Sequence, residues 1–433
     1  MSTPLSTTPP LPAAPDDASP QLGIAIVGLG GAVASTAVAG AALIRKGLQG
    51  TVGLPLAEFG ALDLAGYERL AFAGWDLYPH DLAAAAEHHG VITPTQLEAC
   101  RAELAAVTPW PALSNDRFCG GVVNGANTAL TLRAQVAQVQ RQLEGFRAEI
   151  GGAPVVVINL ASTEAFLDPA EPAYQSPEAF ERALDDDSEA VSPGMVYAYA
   201  CITSGTPYGN FTPSAAADIP ALRELAEACN VPVAGKDGKT GQTFVKTVIA
   251  PSLRARALRV DGWFSTNILG NRDGEALRNP DSLKNKITTK GDVLGSCLGY
   301  PVDNHLVMIN YYKPRGDNKE AWDNIDVTGF MGHQMQVKVN FLCKDSILAA
   351  PLAIEIARCL DLAQRKGRGG VVEELGVFFK APTTQDGSEP QHAFPEQQRV
   401  LLEWLDATSA RVDVAPAARP AVAAAVAEDS VPA

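Results

Sequence analysis

The side chains in this sequence with the most chemical promise are ammonium groups. Only Lys46 precedes Lys236; the other twelve lysines lie between Lys236 and Lys380, in a chain of formal net charge -15. Eight of them lie between Lys236 and Lys319, a stretch that holds GKDGKTGQTFVK (Gly235 to Lys246), FSTNILGNRDG (Phe264 to Gly274), KNKITTK (Lys284 to Lys290) and RGDNK (Arg315 to Lys319). Cations and amides gathered on an acidic background imply a local pocket for a small anion. A nucleic-acid face would instead spread positive charge widely to neutralise many phosphates. Lys286 and Lys290 are four apart, so on a helix they share one face and offer two cations to one anion. An ammonium beside another cation, or in a dry pocket, loses its proton more readily and can work as a general acid or base; while protonated it stabilises an enolate or a phosphate. The competing reading is a solvated, lysine-rich face of one domain.

Such groups need elements to position them. LGIAIVG (22 to 28) is a short apolar run, expected as a buried parallel strand. Gly28, Gly30 and Gly31 follow, and then AVASTAVAGAALIRKG, a small-residue helix closed by Gly47. Strand, glycine turn and helix form the context in which G-x-G binds a dinucleotide: Gly28 allows the turn, Gly30 admits the pyrophosphate, and the helix N-terminus supplies amides. The third glycine is displaced from the usual spacing, and a tight turn holding nothing is the alternative. The 23 uncharged residues from Leu22 to Ile44 have the length of a membrane span, but their Gly, Ala, Ser and Thr content and the glycine turn argue against one. Asp76, closing RLAFAGWD, is the acidic residue expected at the adenosine ribose. It lies 48 residues after Gly28 rather than about 20, which requires an insertion over roughly 50 to 66. It could equally cap a turn.

Further along, helices are expected over 78 to 106, with a break at Gly90, and over Ala126 to Gly151; Ala153 to Leu160 reads as a strand. Alternating strands and helices imply a parallel α/β sheet. Val196 to Ile202 (VYAYACI) reads as another strand, followed by TSGTPYGNFTPS, a loop whose Thr206, Tyr208 and Asn210 could bind phosphate through amides and hydroxyls or could simply turn. Ile219 to Cys229 is a helix, QTFVKTVIAPSLRARAL a helix broken or begun near Pro251, and Val260 to Ser265 and His305 to Tyr311 are strands. Gln334 to Phe341 alternates with period two, as in a half-exposed antiparallel sheet, and so marks a second domain. Ser346 to Leu362 and Pro395 to Leu405 are helices, and Val371 to Phe379 a strand leading into KAP.

At 433 residues, 46% hydrophobic and 19% charged, the chain is of ordinary globular composition and long enough for two or three domains. Seven widely spaced cysteines without any C-x-x-C fit reduced thiols in a cytoplasmic protein, and no metal-site spacing is present. The Pro, Ser and Thr-rich start (1 to 20) and the Ala, Pro and Val-rich end (409 to 433) are expected to be disordered. From the residues alone, the reading is a phosphate-recognising, nucleotide-dependent enzyme, or a non-catalytic metabolite sensor on the same fold.

Motifs in order along the chain sharpen this. GLGGAVAS (Gly28 to Ser35), GWD (Gly74 to Asp76), STEAF (Ser162 to Phe166), GTPYGNFTPS (Gly205 to Ser214), KDGKTGQT (Lys236 to Thr243), STNILGNRDG (Ser265 to Gly274), KNKITTK, GDNKEAWD (Gly316 to Asp323), CKDSILAAPL (Cys343 to Leu352) and FFKAP (Phe378 to Pro382) together resemble the myo-inositol-phosphate synthase family, over roughly Gly23 to Leu402. The resemblance implies a tightly held NAD and a redox-neutral conversion of D-glucose 6-phosphate to 1D-myo-inositol 3-phosphate. Carbon 5 is oxidised, carbon 6 loses a proton, the enolate attacks the carbon 1 aldehyde, and hydride returns. It implies a Rossmann-type dinucleotide-binding domain (21 to 235, with a return segment 346 to 408), an inserted α/β catalytic and oligomerisation domain (236 to 345), and a homotetramer with neither nucleic-acid nor membrane partners.

Matched residue by residue, Lys286, Lys290, Lys319 and Lys380 fall on the family's catalytic lysines. Lys286 is assigned to proton transfer near the oxidised carbon, Lys290 and Lys319 to phosphate and enolate charge, and Lys380 to the cyclising aldehyde. Cofactor contacts are implied for Gly28, Gly30, Gly31, Ala32, Asp76, Ser162, Thr163, Asp237, Gly241, Asp273 and Asp345, and substrate or phosphate contacts for Thr206, Tyr208, Gly209, Asn210, Asn267, Leu269 and Asn271. A monovalent or divalent cation near Asp273 is left open. Departures from the family pattern include Ala32 and Val33 for asparagines, Ile268 for a histidine, Arg272 for an asparagine, Tyr208 and Gly209 for amides, Asn310 for a lysine and Lys344 for an acidic residue. They keep a cyclase or oxidoreductase for another phosphorylated sugar as the alternative.

Overall fold

A computed structural model describes residues 19–59, 62–120, 128–270 and 293–409. Among these, two sheets carry eleven strands: β1 (Leu22–Val27), β2 (Leu70–Asp76), β3 (Trp110–Pro111), β4 (Val155–Asn159), β5 (Tyr208–Asn210), β6 (Pro232–Gly235), β7 (Arg259–Leu269), β8 (Asn304–Tyr311), β9 (Asn318–Thr328), β10 (Gln334–Lys344) and β11 (Gly370–Val371). The first sheet is wholly parallel, in the order β11-β6-β5-β4-β1-β2-β3. Its direction of growth reverses at β1, which has β2 on one side and β4 on the other. A crevice opens outside the strand ends at such a switch point.

The buried strands alternate between two cores, as a period of two requires. Ile24, Ile26, Val156 and Ile158 face one layer, with the helices Ala32–Arg45, Asp345–Arg365 and Phe394–Thr408. Ala25, Val27, Val155 and Val157 face the other, with Leu132–Glu149, Pro193–Thr203 and Pro220–Ala228. The uncharged run from Leu22 is thus a strand, a turn and a 14-residue helix, and no helix of the described residues is long and apolar enough to cross a membrane.

The second sheet has the order β10-β9-β7-β8, with β7 and β8 parallel and the other pairs antiparallel. Its inner face packs on the helices Gln242–Ala255 and Val293–Leu298 through Trp263, Ile325 and Val327.

Several expectations need correction. Val196 to Ile202 is not a strand but part of the helix Pro193–Thr203, which buries every residue except Thr203. A wholly apolar run does not reveal its period; the deciding signal was Ser192-Pro193, where the serine hydroxyl caps Met195 N–H and proline takes the first helical position. The loop expected after it contains β5. Val371 to Phe379 joins the parallel sheet only at β11, tightens into a 3-10 helix, Glu373–Phe378, and ends in a single antiparallel bridge between Phe379 and Gly238. The long helix begins at Leu132, capped by Thr131, rather than at Ala126, and Pro251 sits inside an unbroken helix. Central strand β9 went unread because Asn318 to Thr328 mixes charged, amide and apolar residues.

Candidate active site

Where β1 ends, Gly28 has φ +87, and a Cβ there would stand 3.1 Å from the Ala161 backbone. Glycine therefore serves both the turn and the close approach to the segment after β4. Gly30 N–H donates to Asp76 Oδ2 at 2.8 Å, and a Cβ on Gly30 would lie 3.0 Å from the Asp76 carboxyl carbon. The carboxylate at the end of β2 is thus locked to the turn, its Oδ1 accepting from Tyr78 N–H at 2.9 Å. Gly31 opens the helix Ala32–Arg45 without a side-chain cap, so first-turn amides look into the crevice. A cavity of about 300 Å³ begins here, lined by Gly28, Gly30, Gly31, Ala32 and Asp76.

Across the same cavity stand two lysines, each bound to a carboxylate. Lys380 Nζ donates to Asp237 Oδ1 at 2.6 Å, both side chains being at most 10% exposed. The pair is held by backbone bonds between its own segments: Lys380 N–H donates to Asp237 O, and Asp237 N–H to Thr212 O. Lys319, on β9, reaches Asp345 Oδ1 at 3.2 Å, and the Thr240 hydroxyl donates to the same oxygen at 2.9 Å. Asp345 opens the helix Asp345–Arg365, where a carboxylate complements the dipole, and Asp317 steadies that turn by accepting from Ser346 Oγ at 2.7 Å. A carboxylate that fixes an ammonium in a half-dry cavity gives a preorganised cation able to stabilise anionic charge or exchange a proton.

Of the residues expected at the site, Gly28, Gly30, Gly31, Ala32, Asp76, Ser162, Thr163, Asp237, Lys319, Asp345 and Lys380 line this one cavity. Gly241 is adjacent, since a Cβ on it would lie 4.0 Å from Lys319 Nζ. Lys286, Lys290, Asn271 and Asp273 lie outside the described residues. The expected phosphate loop is placed differently. Thr206 is buried at the opposite end of the parallel sheet, bonded to Ser204 and Arg147. Tyr208 points into the core, where its hydroxyl accepts from Asn159 Nδ2 at 3.1 Å and burial pushes its pKa well up. Gly209 is a packing glycine: a Cβ would meet Ile158 at 2.7 Å and Ile356 at 3.0 Å. Asn210 shapes the next turn, donating to Ser214 O at 2.7 Å, and it is Phe211, Thr212 and Pro213 that reach the cavity. Asn267 and Leu269 are buried on β7, behind the cavity rather than in its lining.

Sequence reasoning passed over two wall residues and two further ionisable groups. Glu164 lines the cavity fully enclosed, accepts from Gly194 N–H at 2.8 Å, and is pushed up to about 7 by burial. Its place in STEAF was visible, but not its burial. His89 Nε2 lies 2.9 Å from Gly30 O, on the glycine turn itself. Lys239, buried over the Phe394 ring and donating to Gln397 Oε1, is brought down to about 7 by desolvation. Lys246 is brought to about 8 by desolvation, with Asp323 opposing. No group of three or more His, Cys, Asp or Glu that could hold a metal ion occurs among the described residues.

Comparison with known proteins agrees with this geometry. The family model described as myo-inositol-1-phosphate synthase, an NAD-binding family, matches residues 51–406. Inositol-3-phosphate synthase 1 of Bacteroides thetaiotaomicron is 39% identical over 412 residues, spanning 90% of this chain and 95% of that one. Inositol-3-phosphate synthase of Saccharomyces cerevisiae is 27% identical, spanning 77% of this chain and 69% of that one. The crystal structure of inositol-3-phosphate synthase from Caenorhabditis elegans superposes with a TM-score of 0.82 at 24% identity, over 93% of this chain and 90% of that chain. A myo-inositol-1-phosphate synthase-related protein from Thermotoga maritima gives a TM-score of 0.75, over 89% and 98%. The resemblance read from the motifs is borne out, and the chain belongs to the myo-inositol-1-phosphate synthase family.

Proposed function

We propose that this protein is an NAD-dependent inositol-3-phosphate synthase, converting D-glucose 6-phosphate to 1D-myo-inositol 3-phosphate without net redox. The observation that carries this reading is that Lys319 and Lys380, each braced by a carboxylate, open onto the cavity that begins at the glycine turn. The turn fits the dinucleotide: the space a Cβ on Gly30 would need is already taken by Asp76, and the helix start is uncapped. When bound, NAD supplies the acceptance and return of one hydride. The protein's own groups carry the proton and charge work. Lys319, oriented by Asp345 and Thr240, offsets the negative charge of a phosphate or an enolate. Lys380, oriented by its hydrogen bond to Asp237, can give a proton to the aldehyde oxygen as that oxygen gains charge during ring closure. We assign proton abstraction to Lys286 and phosphate neutralisation to Lys290.

In this reading the second sheet and the helix Gln242–Ala255 form an inserted catalytic unit (236 to 345) between two parts of a dinucleotide unit (21 to 235 and 346 to 408). The outer face of that sheet exposes Leu306, Met308, Trp322 and Leu342, each at least 36% accessible. Apolar side chains gathered on an open sheet face support burial against further copies of the chain, hence a homotetramer. Seven unpaired thiols support a reducing, cytoplasmic setting.

The test is turnover of glucose 6-phosphate with NAD, followed as inositol phosphate formed, in the native protein and in Lys319→Met. Product from the native protein and at least about 100-fold less from the variant are expected, with NAD affinity kept. Absence of product from the native protein overturns the reading.

A further inference from the structure

Gly30, in the middle of the glycine turn, is held by side chains at both of its peptide groups. Its N–H donates to Asp76 Oδ2 at 2.8 Å. Its carbonyl oxygen lies 2.9 Å from His89 Nε2, and a carbonyl can only accept, so that ring nitrogen carries the hydrogen. The first bond fixes the peptide before the Gly30 Cα, and the second fixes the peptide after it. A glycine has no side chain to restrict either rotation and is the loosest residue a turn can contain. Here the ends of two other elements supply the restriction: Asp76 closes β2, and His89 closes the helix Leu82–His89.

That helix is itself firmly placed. The Asp81 carboxylate caps its start, accepting from Ala84 N–H at 2.9 Å. Gly90 stops it in the left-handed conformation, φ +62, with its N–H on Ala86 O. Leu82, Ala83, Ala85 and Ala86 are buried between these ends. The chain just beyond is tied down as well, since Lys344 Nζ donates to Val91 O at 2.8 Å, and Asp345, next after Lys344, orients Lys319. The ring on Gly30 O therefore cannot drift, and it lines the same cavity as Asp76 and the first-turn residues Ala32 and Val33.

We propose that His89 is a positioning residue for NAD: its ring N–H holds the Gly30 carbonyl and, with Asp76, sets the turn in the shape that receives the pyrophosphate before the dinucleotide arrives. This rests on the reading of the turn as the NAD site. The effect is preorganisation. With Gly30 O released, the peptide leading into the helix Ala32–Arg45 regains rotations that binding must then remove, so NAD affinity falls while the lysines across the cavity are untouched. The hydrogen bond carries the effect rather than ring charge, because the neutral and the protonated ring can both donate from Nε2.

The test compares His89→Met, which fills similar space without a donor, with His89→Gln, whose amide nitrogen stands about as far from Cβ as Nε2 of the ring and can donate to the same carbonyl. NAD affinity is measured by calorimetry on full-length, NAD-free protein. H89M is expected to bind NAD about 10-fold more weakly than the native protein, and H89Q within about 3-fold of it. The KM for glucose 6-phosphate at saturating NAD should stay within about 3-fold of native in both. Should H89M fail to fold, His89→Asn, whose shorter amide falls short of the carbonyl, takes its place with the same expected loss. Native-like NAD affinity in H89M or H89N overturns the inference, and so does an H89Q as weak as H89M, since the donor alone would then not account for the loss. A native protein that binds no NAD overturns the reading of the turn together with the inference.

Discussion

Replacing Lys380 by methionine strands the Asp237 carboxylate in a nearly dry site. The side chains of Lys380 and Asp237 are 10% and 4% exposed, their contact is 2.6 Å, and Asp237 Oδ2 has no hydrogen-bond partner among the described residues. The ammonium is therefore the main compensation for a buried charge. Breaking such a pair from one side costs about 3–5 kcal/mol, whereas removing both charges together is near neutral. Lys380→Met and Asp237→Asn should each lower unfolding free energy by about 3–5 kcal/mol, and the double variant should lie within about 2 kcal/mol of the native protein. Urea unfolding followed by tryptophan fluorescence is a suitable readout, since Trp75 and Trp263 are fully buried. Turnover should behave differently. A proton-transfer group contributes about 100-fold to 10,000-fold in rate, so the double variant regains stability without regaining activity. Two destabilisations that simply add would refute the buried pair, and an active double variant would refute its chemical role.

Glu164 carries an acid-side prediction. Its folded value of about 7 stands above the ordinary 4.5 because burial disfavours the charged form, so the folded state binds more protons between those values. Stability is fully present below about 4.5 and falls by about 3 kcal/mol as pH rises through 7; Glu164→Gln should flatten that limb of a pH series of unfolding curves. Lys239 gives the opposite slope, since its value is depressed from 10.5 to about 7 by desolvation. Here the unfolded chain binds more protons, so stability rises between pH 7 and 10.5, and Lys239→Met should remove the rise. Gly30→Ala forces a methyl to 3.0 Å from the Asp76 carboxyl carbon; NAD affinity should fall at least about 10-fold by calorimetry, with the thermal transition of the NAD-free protein little changed.

What the sequence disclosed and what it withheld follow from the range of each signal. The turn at Gly28 to Gly31 and the helix after it are local, since φ at Gly28 and an uncapped start need only neighbouring residues, and they were legible. Asp76 was legible despite its distance because strand and glycine turn form a paired motif. Lys319 and Lys380 could be brought together only by motif resemblance, because β9 and the Phe378 to Lys380 segment reach one cavity through the fold rather than through spacing. The loop around Tyr208 misled because polar and glycine residues read as a ligand loop; Gly209 is glycine so that the helix Asp345–Arg365 can pack at Ile356, and Tyr208 is held inside by Asn159. The buried state of Glu164, Lys239 and Asp323 is set by three-dimensional packing, which no local pattern records.

The most direct measurement uses glucose 6-phosphate deuterated at carbon 5, incubated with the protein and NAD, with the product examined by carbon and deuterium NMR. A hydride taken up and returned within one active site predicts inositol phosphate that retains the label on the carbon derived from carbon 5, with no accumulation of NADH. Label lost to solvent, or NADH accumulating in step with an open-chain oxidised sugar, would contradict it.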